Sequence, residues 1–453
     1  MAETVSRARA ADGSWISWRE HRIDDEELGG IPIRGGDGLE MADLDGDGHL
    51  DIVSVHEDSD HVRLAFGSAD PNVWELATLG EGAEVGAAED AAIGDVDGDG
   101  LLDVVVAAEL EHLIYFQNPG HSARRGDWPW IIPKVTAERG SFIRVYVADL
   151  DGDGRLEVTA PNKGEQQPEG GAVPTDFPPE EVSIFHITGD PLRSESWTET
   201  VIGTMPVPMN SRPVDLDGDG DLDLLAGSRY ESRPFWYENL LERGDGLRFV
   251  EHPIDVSGRS VAWRRWPRYL TAMSVDFADL DGDGRLDIAM QESPFLNVWL
   301  EQPERATDAW QIHRIGAIEP DHATGIRLAD IDGDGDLDLF NGGYSALPRD
   351  HDGPDVTAEH RVGRLAWFEN SGDPTEPWVR HDISRRVRAM FDDFVARDMD
   401  RDGDLDFVTT RGNSGNYDGV LWLEQVRSAR PQRAFFPARD RESRHLPLPA
   451  RDR

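Results

Sequence analysis

The chain has 453 residues, 89 of them acidic and 45 basic, for a net charge of −44. That sign excludes the basic footprint of a nucleic-acid binder and disfavours an anionic membrane surface. There is no cysteine, which removes disulfides, thiolate metal sites, iron–sulfur clusters and thiol catalysis.

Residues 1–14 read as an N-terminal arm without an apolar stretch. The chain therefore reads as cytoplasmic; a mature form of a secreted or periplasmic protein would begin the same way. No later run approaches the ~18 apolar residues of a membrane span. Next comes a strand-like segment, Trp18 to Ile23, and then a motif that recurs seven times: D-x-D-x-D-G-x-L-[DE]. The copies start at Asp43, Asp95, Asp149, Asp215, Asp279, Asp330 and Asp398, between 51 and 68 residues apart. A period of this size signals a repeat architecture.

Each copy has the make-up of a calcium loop. Carboxylates at positions one, three, five and nine converge as the chain wraps an ion, and glycine at position six permits the sharp turn. The candidate ligands are Asp43, Asp45, Asp47 and Asp51 in the first loop and Asp95, Asp97, Asp99 and Asp103 in the second. The third has Asp149, Asp151, Asp153 and Glu157, and the fourth Asp215, Asp217, Asp219 and Asp223. Asp279, Asp281, Asp283 and Asp287 form the fifth, Asp330, Asp332, Asp334 and Asp338 the sixth, and Asp398, Asp400, Asp402 and Asp406 the seventh. Four carboxylates so close repel unless a cation neutralises them. Up to seven structural Ca2+ ions are expected; Mg2+ suits such all-protein cages less well.

A short apolar stretch precedes each loop and a β-rich run follows it, which makes a hairpin. A third strand carries an aromatic, as at Trp236, Trp299, Trp367 and Trp422, and a fourth begins near Trp74, Trp130, Trp197, Phe249, Trp310 and Trp378. Four strands in seven repeats predict an all-β, seven-bladed propeller over residues 15–426. The fourth strand is one copy short after the first loop. The segment at Trp18 supplies it and closes the ring, which removes an exposed sheet edge. Residues 427–453 form a tail with eight arginines, three acids and several prolines, either packed through Phe435 and Phe436 or disordered.

These loops resemble those of FG-GAP (VCBS-type) repeat proteins, whose best-known members are the integrin alpha-subunit propellers. The propeller part of aldos-2-ulose dehydratase is similar in style. The resemblance implies the propeller and its calcium; it leaves function open, because such repeats serve lectins, adhesion proteins and enzymes.

Within a blade the strands alternate in direction, so a site belongs on the face opposite the acidic loops. The long connections at 160–181, 257–272 and 342–362 lie there. Near the ends of the seven second strands stand His56, Glu109, Lys163, Arg229, Glu292, Tyr344 and Arg411. This mixed polar ring reads as one asymmetric pocket or as a solvated rim. Lys163 is one of two lysines among 45 basic residues, and a lysine, unlike arginine, can surrender its proton. Trp263, Arg265 and Trp266 in the fifth repeat suit a sugar or a carboxylated molecule. His322, beside Asp321, is a candidate acid/base group.

The expected function is acid/base elimination, isomerisation or lyase chemistry on a sugar-like or other polar small molecule. His56, Lys163, His322 and Tyr344 would move protons; Glu109, Arg229, Trp263, Arg265, Trp266, Glu292 and Arg411 would bind substrate. The alternative is a non-catalytic binding propeller, lectin-like or protein-binding. His21, His252, His313 and His381 share one slot of the outer strand and read as structural.

Overall fold

A strand buried on both faces needs apolar residues at every position, not at alternate ones. Asp103–Ala108 shows this: all six residues are buried. Val104 and Val106 pack toward the preceding blade, and Val105 and Ala107 toward the following one. Fully burying one such valine contributes about 1.5–3 kcal/mol. The computed structural model describes residues 4–448 except 110, 165–176, 230, 232, 242–246, 258–269, 346–351, 354, 440 and 441. Trp263, Arg265 and Trp266 lie outside the described residues.

Seven sheets form seven blades, each an antiparallel set of four strands numbered one to four from the channel outward. Blade one consists of Gly36–Ala42, Asp51–His56, His61–Phe66 and Glu75–Glu81. The innermost strands of the other blades are Ala88–Gly94, Tyr146–Ala148, Pro208–Val214, Val275–Ala278, His322–Ala329 and Phe394–Arg397. Among the described residues one apolar cluster fills each junction between neighbouring blades. Two blades carry a short fifth strand laid parallel to the outermost one. Val256–Ser257 runs beside Trp310–Ala317, and Phe435–Phe436 beside Trp15–Asp25.

The ring closes as the repeat pattern predicts. Trp15–Asp25 pairs antiparallel with Gly419–Ser428, from Trp15 opposite Ser428 to Asp25 opposite Gly419. The described part of the tail packs against this blade. Phe435 is 6% exposed, and Glu442 is buried among Arg386, Arg411 and Glu20. No helix among the described residues is long and apolar enough to cross a membrane.

Outer strands repeat one arrangement in four blades. His21, His252, His313 and His381 each stack on the tryptophan of the neighbouring third strand, with ring centroids 4.2–4.9 Å apart. The Nε2 atom of each lies 2.5–2.7 Å from a glutamate two residues beyond that tryptophan.

Candidate functional site

The acidic loops join the first and second strands of each blade at one face. In the first loop Asp43 Oδ1 accepts the amides of Gly46 and Asp47 at 2.8 and 3.1 Å, and Oδ2 accepts Gly48 N at 2.9 Å. Gly48 takes a positive φ of 86° to bring its amide inward. Position nine is buried beneath the loop. Asp51 is fully covered, and its two oxygens accept Leu44 N and Gly67 N, both at 2.8 Å. The same double acceptance ties Asp223, Asp287, Asp338 and Asp406 to the start of their own loop and to the third strand. Position nine thus fastens loop to blade as well as offering an oxygen.

The donor set fits a hard cation. Oxygens of Asp43, Asp45 and Asp51 lie within 4.8 Å of one another, as do those of Asp95, Asp97 and Asp99, and of Asp149, Asp151 and Asp153. All are carboxylate oxygens, the chemistry that suits Ca2+ rather than a thiophilic metal. Burial pushes Asp51 and Asp103 up to about 6 and Asp223 and Asp406 to about 8. Loop one carries a counter-ion of its own: Arg124 reaches Asp45 and Asp47, the latter at 2.7 Å.

The opposite face holds a different constellation. Strand ends sort the seven-membered ring into two sets: His56, Glu292, Tyr344 and Arg411 belong to the second strands themselves, whereas Glu109, Lys163 and Arg229 lie just past the ends of theirs. Six residues beyond position nine stand Glu109, Lys163, Arg229 and Tyr344, and in blade one Glu57, next to the ring's His56. Glu109 and Lys163 form an ion pair, their side chains 4% and 9% exposed. Burial lowers Lys163 to about 8; the nearby Glu89 charge resists this and Arg229 adds to it. Glu57, Glu89 and Glu109 approach within 4.8 Å of one another.

Five residues beyond position nine stand His56, Glu292 and Arg411, and the first and last are held elsewhere. His56 is fully buried, contacts Ser54 Oγ at 3.1 Å, and is pushed by burial down to about 3. Arg411 is bound to Glu442 at 2.6 Å, to Glu20 at 3.3 Å and to the carbonyl of Tyr417. Glu292 is buried at 3% exposure. Tyr344 and His322 pair across the first two strands of blade six. Burial lowers His322 to about 4, with Arg361 adding to the effect. Asp321 does not orient that imidazole. It is fully buried, accepts from Arg385 at 2.6 and 2.9 Å and from Val362 N at 2.9 Å, and pairs with the Arg364 charge at 2.7 Å.

Below the mouth the channel encloses about 200 Å³, lined by Asp37, Glu40, Asp90, Arg144, Tyr146, Arg212, Arg327, Asp392 and Asp393 among others. Arg144 lies 3.3 Å from Asp392 and Arg212 3.6 Å from Asp276. Sequence reasoning passed over Asp37, Glu57 and Glu89. A uniform count from position nine would have found Glu57; Asp37 and Glu89 sit on innermost strands, where no repeat marks them.

The FG-GAP-like repeat family matches residues 43–106, 95–160 and 215–290. No curated protein matches the sequence. Among solved structures, YCF48 from Cyanidioschyzon merolae superposes with a TM-score of 0.47 at 8% identity, covering 90% of this chain and 98% of that one. The structure of BBS1N in complex with ARL6DN, soaked with lead, gives 0.46 at 10% identity, with 90% and 96% covered. Likeness at this level carries no argument about function. The chain is a seven-bladed β-propeller carrying FG-GAP-like repeats.

Proposed function

We propose that the chain is a calcium-stabilised propeller enzyme whose one polar site is the channel mouth around Lys163 and Glu109. The supporting observation is the ion pair between these two residues, buried beside Glu57 and Glu89 on the face away from the acidic loops. A lysine brought to about 8 can give or take a proton near neutral pH, as elimination or isomerisation of a polar, sugar-like molecule requires. Glu109 holds the ammonium in place, whereas Arg411 is committed to Glu442 and Glu20 rather than to a substrate oxygen. In this reading Ca2+ in the seven loops supplies rigidity, with Asp43, Asp45, Asp47 and Asp51 and their counterparts as its holders.

The small channel favours a second reading, a non-catalytic binding propeller. Its volume of about 200 Å³ is below the ~300 Å³ at which small-molecule pockets begin. The test is a thermal-shift and turnover screen of sugars, uronic acids and small carboxylates on wild type and Lys163→Met. Turnover by wild type that Lys163→Met abolishes supports the enzyme. A ligand that stabilises both proteins equally without turnover supports the binding module.

A further inference from the structure

Three glutamates reach the mouth from separate places in the chain. Glu57 lies just past the second strand of blade one, Glu89 on the innermost strand of blade two, and Glu109 just past that blade's second strand. Glu89 and Glu109 are 8% and 3% exposed. With one oxygen of each within 4.8 Å of the others, their mutual repulsion is large unless a cation lies among them. Lys163 answers Glu109. Glu89, Asp392 and Glu57 act on Asp37 as like charges, and burial together with this repulsion pushes Asp37 well above the usual carboxylate range.

A second observation comes from the channel wall. Asp37 is 5% exposed, and its Oδ2 has no hydrogen-bond partner among the described residues. A buried carboxylate oxygen without a donor is costly. It is explained if a positive ligand lies against it, where the charges of Glu89 and Glu57 also reach.

We propose that Glu57, Glu89 and Glu109, with the open oxygen of Asp37, form a divalent-cation site at the channel mouth, separate from the seven acidic loops. The donors are all carboxylate oxygens, so the ion is a hard one: Ca2+, Mg2+ or Mn2+ rather than Zn2+ or Cu2+. Lys163 is then a competitor for Glu109. It occupies the carboxylate when the ion is absent and is released toward the mouth when the ion binds. The inference rests on the mouth being a binding site, not on turnover.

The experiment counts bound Ca2+ by native mass spectrometry and follows affinity by calorimetry on the full chain. Glu89→Gln and Glu109→Gln are each expected to carry one ion fewer than wild type. Lys163→Met is expected to keep the full count and bind the mouth ion at least about tenfold more tightly, because an ammonium no longer competes. Glu57→Gln, at a half-buried turn, serves if the buried variants fail to fold. An unchanged count in the folded glutamate variants overturns the proposal. Asp287→Asn, in the fifth loop, is the control for the other face. If it loses no ion while Glu89→Gln does, the loop reading fails and the mouth site stands. If the mouth ion is present but no substrate is turned over, the cation site stands and the enzyme reading fails.

Discussion

The imidazole of His313 lies almost flat on the indole of Trp299, with centroids 4.3 Å apart and planes 16° from parallel. Its Nε2 stands 2.6 Å from Glu301, so one side chain joins the outermost strand to the next by a ring face and a polar edge. His313→Ala removes both contacts without touching the mouth. The expected loss is about 1–3 kcal/mol in urea unfolding, with ligand binding at the mouth unchanged.

The proposed Ca2+ in the loops predicts a dependence of stability on that ion. Chelation is expected to lower Tm substantially, and added Ca2+ to restore it, because a ligand of the folded state alone stabilises by mass action. A Tm indifferent to chelator would remove Ca2+ from the account.

Arg401 gives a local test in the seventh loop. It holds a φ of 64° where the other six loops have glycine. Arg401→Gly relieves a left-handed side-chain clash and is expected to stabilise by up to about 1 kcal/mol in chelator, where ion binding does not contribute.

The tail predicts a stability effect. Glu442 lies 2.6 Å from Arg411 and 3.3 Å from Arg386, and Glu20 faces both arginines. Glu442→Ala leaves two buried guanidinium groups sharing one carboxylate. Breaking a buried ionic network this way costs about 3–5 kcal/mol, measurable in denaturant unfolding. Equal midpoints for variant and wild type would show that the tail contributes nothing.

Glu40 predicts a pH effect. Its side chain is exposed to the channel interior, whose enclosing walls raise it from 4.5 to about 7, helped by Asp393 and Asp90 and opposed by Arg327 and Arg212. The folded state therefore keeps this proton at pH values where the unfolded chain has lost it. Its contribution falls as pH rises between about 4.5 and 7. Glu40→Gln lacks that slope: its Tm should exceed wild type at pH 8 by more than at pH 5.

The propeller was legible because every blade solves the same problem with the same residues. The loop recurs with its spacing, the aromatic of the third strand follows, and one missing outer strand pointed to Trp18. The recurrent histidines read as structural because they recur, and the stacked pairs give the reason. The mouth was less legible because nothing there repeats. His56, Glu292 and Arg411 were grouped with Glu109 and Lys163 by approximate position. An offset of five leaves them on the strand, whereas Glu109 and Lys163 lie just past the ends of theirs. Arg411 was further hidden by its partners, which come from residues 20 and 442. Distance along the chain conceals such a pair from any local pattern.

The pairing of Trp15–Asp25 with Gly419–Ser428 also sets an order of events. During synthesis the first strand emerges with nothing to pair with, and six blades can stack before its partner exists. The last blade must wait for the ends of the ring to meet, across a loop of roughly 400 residues whose closure entropy is large but grows slowly with length. Until then blade one presents the apolar residues Leu39, Ile52 and Ala65 as an uncovered side wall. A nascent chain stalled before Gly419 is therefore an open arc with a sticky end, suited to chaperone capture or to mispairing with a second arc.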